Sequence, residues 1–245
     1  MTTSFCLPPM QADPVLIIAG LDSGGGAGLM RDLATLAAFG QRAKTAATAI
    51  TAQTDAQVFA IHPVPAETVA AQIRAAGRVA AVKIGMLTNA AVTETVTRHL
   101  PDAPAVLDPV LISSSGTPLL APDALPALYA LMARMTLITP NLPEAAHLTG
   151  LPPDAPAEAT AAALFAMGAR AVLLKGGHAE GPEAMDLLFT STARIPLSAP
   201  RSATGKRGTG CALASAIACG LAQGLPLPAA CTAAKAHVTA YLNTP

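Results

Sequence analysis

Short apolar runs alternate with amphipathic segments along most of the 245-residue chain. The first run, Val15 to Ala19, predicts a buried strand. A glycine-rich turn follows it, and then Leu29, Leu33 and Leu36 recur at helical spacing until Gly40, a residue suited to ending a helix. A strand, a loop and a helix in this order form the unit from which parallel sheets are built.

The same rhythm continues toward the C-terminus and predicts an α/β fold with a mostly parallel sheet. The chain ends in two helices, about Thr209 to Gln223 and Pro228 to Tyr241, without a strand between them, which disfavours an eightfold α/β barrel. Two short apolar runs from Asp186 to Leu197 predict a hairpin at the sheet edge. Further predicted strands are Thr45–Ile50, Val58–Val64, Ala80–Ile84, Ala105–Leu107, Leu137–Thr139, Ala171–Leu174 and Asp186–Thr190, and further predicted helices are Ala66–Arg78, Asn89–Leu100, Pro122–Ala133 and Ala155–Met167.

Composition favours a globular protein whose partners are small molecules. Hydrophobic residues make up 52% of the chain and charged residues 12%, which is not the composition of a disordered protein. Fifteen basic residues balance fifteen acidic ones, so no net charge favours binding to nucleic acid or to an anionic membrane. We predict an N-terminal extension over residues 1–13 and a single domain over residues 14–245.

The compartment predicted from the sequence is the cytoplasm. No apolar run approaches the ~18 residues that a spanning helix needs, and the first residues do not resemble a signal peptide. The four cysteines show neither the pattern of a disulfide framework nor the ligand spacing of a zinc site, and the five histidines are scattered.

The segment Gly20–Gly28 is the most informative short stretch, because it contains five glycines and lies between a predicted strand and a predicted helix. Glycines allow a ligand to approach the backbone, and a helix start offers free N–H groups. A tight turn alone would need only one or two glycines. The segment is neither a GxGxxG dinucleotide loop nor a P-loop, which would end in GK[ST]. It predicts a ligand-binding loop of another kind.

A second glycine-rich stretch, Gly205 to Cys211, opens the penultimate predicted helix. Gly208, Thr209 and Gly210 can present backbone N–H groups at the positive end of the helix dipole, where a phosphoryl charge would be stabilised. Lys206 and Arg207 add positive charge, and Cys211 in this setting is predicted to have a lowered thiol pKa. The alternative is a small buried cysteine behind an ordinary loop.

Other polar residues follow predicted strands, at the sheet edge where ligands bind in open parallel sheets. Asn141 and Glu144 have the spacing either of a magnesium-ordering pair or of a helix capping box, and the sequence leaves both open. Asp108 and Lys175 lie at further strand ends. Gln53 could recognise the edge of a heterocycle, although a solvated loop glutamine is the simpler interpretation.

These segments, in this order, resemble the hydroxymethylpyrimidine and phosphomethylpyrimidine kinases of the ribokinase-like superfamily. The resemblance extends from about Pro14 to near the C-terminus. The motifs that carry it are AGLDSGGGAG from position 19, TAQ at 51–53, KIGML at 83–87, LDPV at 107–110, TPNLPEA at 139–145, LLKGGH at 173–178 and GTGC at 208–211.

The resemblance implies a ribokinase-like three-layer sandwich, with a central, mostly parallel sheet flanked by helices. It also implies transfer of the γ-phosphoryl group of ATP, with Mg²⁺, to 4-amino-5-hydroxymethyl-2-methylpyrimidine and then to its monophosphate, in thiamine biosynthesis. A homodimer is expected. Carried over by position, the substrate would be bound by Gly20, Asp22, Gln53 and Val110, and the nucleotide by Lys83, Asn141, Lys175 and Arg207. The metal would be bound by Asp108 and Glu144. The anion hole would be formed by Gly208 to Cys211, with Cys211 assisting deprotonation of the substrate hydroxyl.

Four positions depart from the usual motifs of the family. Leu21 replaces a serine, Thr54 an asparagine, Ser114 a lysine and Arg207 a histidine. Because the departures lie near the substrate and phosphate positions, two other functions stay open: a pyridoxal or pyridoxine kinase, and a paralogue that binds a pyrimidine without turnover. Arg207 could compensate for the missing lysine.

Overall fold

A nine-stranded sheet forms the centre of the computed structural model, which describes residues 13–176, 182–202 and 205–244. The strands occur in the spatial order β3-β2-β1-β4-β5-β6-β7-β8-β9. Pairings from β2 through β7 are parallel, whereas β3, β8 and β9 pair antiparallel at the two edges. The strands are β1 (Val15–Asp22), β2 (Ala43–Gln53), β3 (Val58–Pro63), β4 (Ala81–Ile84), β5 (Ala105–Leu107), β6 (Leu137–Ile138), β7 (Val172–Leu174), β8 (Glu183–Phe189) and β9 (Arg194–Pro200).

Two layers of helices cover the sheet, because its central strands are apolar on both faces. In β1, Leu16 and Ile18 pack into one core, while Val15, Ile17 and Ala19 pack into the other. Helices α1, α7 and α8 pack together on the second core, and α2 to α6 cover the first. The helices are α1 (Gly28–Ala38), α2 (Ala66–Ala76), α3 (Ala90–His99), α4 (Leu125–Met132), α5 (Leu142–Thr149), α6 (Ala157–Ala166), α7 (Thr209–Ala222) and α8 (Leu227–Leu242).

Local sequence explains several helix ends. Asn89 caps α3 by accepting a hydrogen bond from the Val92 N–H, as expected of an asparagine N-cap. Helix α5 ends at Gly150, whose φ of 71° places it in the left-handed region that glycine tolerates. These local signals fix where the chain turns back toward the sheet.

The ribokinase-like three-layer α/β architecture expected from the sequence is confirmed. The edge hairpin is also confirmed, as β8 and β9, and no strand lies between α7 and α8. Strand β2 extends further than predicted, through Gln53, so Thr51 and Gln53 belong to the strand rather than to the loop after it. The proposed N-terminal extension, apart from Asp13, lies outside the described residues.

The strand order creates a switch point between β1 and β4. After β1 the chain adds β2 on one side, and it later adds β4 on the other side of β1. In open α/β sheets the crevice at such a point, beyond the carboxyl ends of the strands, is where ligands bind. Within the described residues, no helix is both long and apolar enough to cross a membrane.

Candidate active site

A cleft of about 730 Å³ runs along the carboxyl ends of the parallel strands. The sheet order divides it into two parts, because the ends of β2, β1 and β4 border one side and the ends of β5, β6 and β7 border the other. We call these the acceptor half and the phosphate half. All the site residues predicted from the sequence border this cleft: Gly20, Asp22, Gln53, Lys83, Asp108, Val110, Asn141, Glu144, Lys175, Arg207, Gly208, Thr209, Gly210 and Cys211.

Asp22 organises the glycine-rich loop of the acceptor half. Its two carboxylate oxygens accept hydrogen bonds from the N–H groups of Gly24 and Ala27, both at 2.8 Å. Gly28 has a φ of 55°, and a Cβ atom there would lie 2.3 Å from the Gly20 carbonyl oxygen, so only glycine fits. The buried Asp22 carboxylate therefore shapes the loop, and its contact with the substrate stays a prediction.

Gln53 and Met86 offer the ring-binding groups of the acceptor half. Gln53 borders the cleft, and its side-chain amide makes no hydrogen bond to any other described residue. The Met86 thioether lies under the loop: a Cβ atom on Gly20 would be 2.8 Å from its sulfur. Gly20 therefore leaves room for Met86, and Val110 borders the same cleft. A planar heterocycle could pack on the thioether while its edge bonds to the Gln53 amide.

Lys175 is the central cation of the phosphate half. Its Nζ lies 2.7 Å from Asp108 Oδ1 and 3.7 Å from Glu144 Oε2. Thr139 Oγ1 also donates to Asp108 Oδ1, at 3.3 Å. Asp108 and Lys175 follow β5 and β7, and Glu144 lies in the first turn of α5, so two strand ends and a helix start bring the three groups together. Gly177 and His178, the end of the LLKGGH motif, lie outside the described residues.

Asn141 and Glu144 form a capping box at the start of α5. The Asn141 side chain accepts from the Glu144 N–H, and Glu144 Oε2 accepts from the Asn141 N–H, both at 2.8 Å. Burial raises the pKa of Glu144 to about 7, although Lys175 counteracts this shift. The capping interpretation is confirmed. The cap uses the Asn141 side-chain oxygen and leaves Glu144 3.7 Å from Lys175 Nζ.

The N-terminal turn of α7, Gly208 to Cys211, lies between the two halves. Gly208 has a φ of 75°, and a Cβ atom there would lie 2.2 Å from the Gly26 carbonyl oxygen. A Cβ atom on Gly210 would lie 3.2 Å from both Asp108 Oδ2 and Lys175 Nζ. The glycines therefore let this turn touch both the loop and the ion pair. Its first N–H groups have no partner within the helix, as at any helix start, and they border the cleft.

The predicted lowering of the Cys211 thiol pKa is wrong for the protein in this state. Burial raises the pKa of Cys211 to about 11; nearby Lys83 acts in the opposite direction, and the carboxylate of Asp32 adds to the increase. The sequence showed the helix start that favours a thiolate, but it did not show the desolvation and the nearby carboxylates that oppose it. At neutral pH the thiol is therefore protonated.

Lys83 does not offer a free ammonium to a nucleotide. Its side chain is 0% exposed and forms a 2.7 Å ion pair with Asp32 Oδ2, whose side chain is also 0% exposed. Ser215 Oγ donates to the other Asp32 oxygen at 2.8 Å. The expected nucleotide role of Lys83 is corrected: its charge is neutralised under the cleft, where the pair joins β4, α1 and α7.

The two cations of the loop before α7, Lys206 and Arg207, do not point where the sequence predicted. Lys206 Nζ donates to the Tyr241 carbonyl oxygen at 3.1 Å, at the end of α8, rather than adding charge to the anion-binding turn. Arg207 was expected on the nucleotide side. It lies instead in the acceptor half, bonded to Asp22 and Asp55.

Sequence reasoning missed Asp32, Ser215, Asp55 and Met86. Asp32 carried a usable signal, because it follows Leu29 by three residues and precedes Leu36 by four, which places a carboxylate on the apolar face of α1. Ser215 likewise interrupts the apolar sequence of α7. Asp55 had no signal, since an exposed turn carboxylate is ordinary.

Comparison with known proteins identifies the family. A model described as phosphomethylpyrimidine kinase matches residues 22–245. The chain belongs to the phosphomethylpyrimidine kinase family. A relative in this family, the hydroxymethylpyrimidine/phosphomethylpyrimidine kinase of Streptomyces coelicolor, is 46% identical over an alignment of 245 positions. The alignment covers 96% of this chain and 91% of the relative.

Solved structures place the phosphomethylpyrimidine kinase fold beside that of pyridoxal kinases. The phosphomethylpyrimidine kinase of Clostridium difficile is 34% identical with a TM-score of 0.80, covering 94% of this chain and 100% of that one. A pyridoxal kinase from Staphylococcus aureus in complex with AMP-PCP is 29% identical with a TM-score of 0.86, covering 95% of this chain and 88% of that one.

Proposed function

We propose that this protein transfers the γ-phosphoryl group of ATP to 4-amino-5-hydroxymethyl-2-methylpyrimidine, and then to the resulting monophosphate, in thiamine biosynthesis. The observation that carries the proposal is the position of the Gly208–Cys211 turn. It lies between the acceptor half, which has groups suited to a heterocycle, and the phosphate half, which has a partly buried cation and two carboxylates. Membership of the phosphomethylpyrimidine kinase family supports the same reaction.

The acceptor half would bind and orient the aminopyrimidine. The Gln53 amide both donates and accepts hydrogen bonds, which matches an exocyclic amine beside a ring nitrogen. Met86 would pack against the ring face. Orientation matters most here, because phosphoryl transfer needs the attacking oxygen in line with the γ-phosphorus.

The phosphate half would hold the triphosphate and stabilise the charge that moves during transfer. Lys175 would exchange part of its interaction with Asp108 for phosphate oxygens, and the N–H groups of the α7 turn would bond to the transferring phosphoryl group. Both act on the same position, since Gly210 lies directly against Lys175.

The carboxylates of the phosphate half fit a magnesium ion that travels with ATP. Mg²⁺ usually keeps several waters and binds through one or two carboxylates together with substrate phosphates. Asp108 and Glu144 supply two, and among the described residues no cluster of three or more candidate ligands exists. The ion would neutralise phosphate charge when bound.

Cys211 would take part in removing the proton from the substrate hydroxyl. It stands at the turn where the transferred group must lie, and it borders the cleft. Because its thiol is protonated in the free protein, the step requires a bound state in which the cations of the site favour the thiolate. The direct test is the kinetics of the Cys211→Ala variant.

The reaction would take place in the cytoplasm, and the active form would be a homodimer. Free thiols at Cys211, Cys219 and Cys231 are compatible with a reducing compartment. Light scattering on the purified protein measures the dimer directly, and a monomer at assay concentration would contradict that part of the proposal.

ATP consumption by the purified protein tests the proposed function. With Mg²⁺, the alcohol and its monophosphate are compared in parallel with pyridoxine and pyridoxal. Selective turnover of the pyrimidines is expected. A preference for the pyridines would make the protein a pyridoxal kinase instead, and tight pyrimidine binding without turnover would make it a non-catalytic binding protein.

A further inference from the structure

Arg207 lies across the acceptor half of the cleft, and the glycine-rich loop is shaped around it. Its Nη2 donates to Asp22 Oδ2 at 3.1 Å, and its Nη1 donates to Asp55 Oδ1 at 2.8 Å. Cβ atoms on Gly24 and Gly26 would lie 3.4 and 3.3 Å from Nη1. Two glycines of the loop therefore leave the space that the guanidinium fills.

The two carboxylate partners of Arg207 differ in burial. The Asp22 side chain is 2% exposed, whereas that of Asp55 is 85% exposed. An exposed ion pair is weak and is screened by salt, so Asp55 is the partner that another anion can replace. The guanidinium has five N–H groups and can grip an anion bidentately while one end stays on Asp22.

Arg207 and Lys175 lie in different halves of the cleft. Lys175 lies against Gly210 in the phosphate half, and Arg207 lies against Gly24 and Gly26 in the acceptor half. A phosphoryl group in transit at the turn would thus have one cation toward its donor and another toward its acceptor.

We propose that Arg207 binds the phosphate of the pyrimidine monophosphate, releasing Asp55 to do so, and thereby determines the preference for the second phosphorylation over the first. This rests on the proposed function. The alcohol carries no anion for Arg207 to bind, whereas the monophosphate carries about two negative charges above its second pKa near 6.

The second transfer places a particular demand on the acceptor side. A bond forms from an acceptor phosphate oxygen to the γ-phosphorus as the bond to the bridging oxygen of ADP breaks, yielding ADP and the pyrimidine diphosphate. No proton has to leave the acceptor, because its phosphate is already ionised. What the step needs is a cation that offsets the repulsion between the two phosphate groups, and Arg207 is positioned to supply it.

The test compares kcat/KM for the monophosphate with kcat/KM for the alcohol in Arg207→Ala. The ratio should fall by roughly 10- to 100-fold, as expected when a hydrogen bond to a charged group is lost. Arg207→Lys should recover part of the ratio. Lys206→Ala is the matched control: it removes a neighbouring cation whose ammonium bonds toward Tyr241, so it should affect both substrates by the same factor. An unchanged ratio in Arg207→Ala overturns the proposal.

Asp55→Asn provides a second test that does not disturb a buried charge. Freeing Arg207 from its exposed partner should raise the ratio of kcat/KM for the monophosphate to kcat/KM for the alcohol several-fold. A fall in this ratio would contradict the proposal that the phosphate replaces Asp55 on Arg207. Calorimetric binding of the two pyrimidines gives the same ratio without turnover. If the wild-type protein binds both pyrimidines but turns over neither, only the proposed function is refuted. If the ratio of the two binding affinities is unchanged in Arg207→Ala, only the role of Arg207 is refuted.

Discussion

Burial decides the chemical state of Cys211 more than its position at a helix start does. With the pKa of its thiol raised to about 11, the fraction of thiolate should keep rising with pH well beyond 9. We therefore expect the rate of alkylation of Cys211 by iodoacetamide, followed by mass spectrometry of its peptide, to increase up to at least pH 10. A plateau below pH 8 would mean that the thiol is acidic in the free protein.

Removal of the thiol should affect the two substrates differently. The alcohol must lose a proton during transfer, whereas the ionised monophosphate need not. In Cys211→Ala we expect kcat for the alcohol to fall by about 100-fold or more, the usual range for a general base, with a smaller loss for the monophosphate. The KM for ATP should change little. Wild-type turnover of the alcohol would remove Cys211 from the mechanism.

At the scale of single elements, the start of α7 depends on a backbone that only glycine adopts. Gly208→Ala adds a Cβ atom 2.2 Å from the Gly26 carbonyl oxygen at a φ of 75°, so the turn must move away from the loop. We expect the free energy of unfolding to fall by about 1–3 kcal/mol. The loss of kcat/KM, expressed as a free energy, should be larger than this.

The matched control for Gly208→Ala is Gly205→Ala in the same loop. Among the described residues, no heavy atom outside its chain neighbours lies within 4 Å of a Cβ atom placed on Gly205. Its effect on kcat/KM should be much smaller. Equal losses in the two variants, measured by steady-state kinetics and thermal unfolding, would mean that the close approach of the turn to Gly26 has no functional role.

The buried Lys83–Asp32 pair joins three elements under the cleft. Lys83→Met leaves the Asp32 carboxylate without its counter-ion, and we expect the free energy of unfolding to fall by about 3–5 kcal/mol. Lys83→Met with Asp32→Leu should recover much of this loss. Urea denaturation measures both, with Lys44→Met as the control because the Lys44 side chain is exposed on β2. If Lys83→Met alone is as stable as the double variant, the buried Asp32 carboxylate does not need Lys83 as its counter-ion.

Element prediction from sequence succeeded where the signal is local and failed where it depends on packing. The apolar run of β1, the capping spacing at Asn141 and Glu144, and the edge hairpin are visible in short windows. The partners of Asp32 and Asp22 are not, because Ser215 and Arg207 lie 183 and 185 residues away in the chain. The residues bordering the cleft were therefore predictable, but not which of them are already paired with each other.

At the scale of the whole molecule, one sheet presents two binding regions side by side. The ends of β2, β1 and β4 support the acceptor half, and the ends of β5 to β7 support the phosphate half. The parallel βα rhythm predicted that polar residues would gather at one edge of the sheet. The division into halves follows from the strand order, which the sequence rhythm does not encode.

This division makes a prediction about ligand-induced stability. A ligand at 100 times its Kd stabilises the folded state by about 2.7 kcal/mol, which corresponds to roughly 5–10 °C in Tm for a chain of this size. Lys175→Ala should abolish most of the Tm increase caused by AMP-PCP with Mg²⁺ while keeping that caused by the pyrimidine alcohol. Gln53→Ala should do the reverse.

Each shift is measured relative to the unliganded Tm of the same variant, so a change in intrinsic stability does not affect the comparison. The two halves meet at the Gly208–Cys211 turn, and different side chains border the turn in each half. If each variant loses the response to only one ligand, the halves bind independently. If either variant loses both responses, the cleft acts as one site, and the assignment of Gln53 to the acceptor and Lys175 to the nucleotide is wrong.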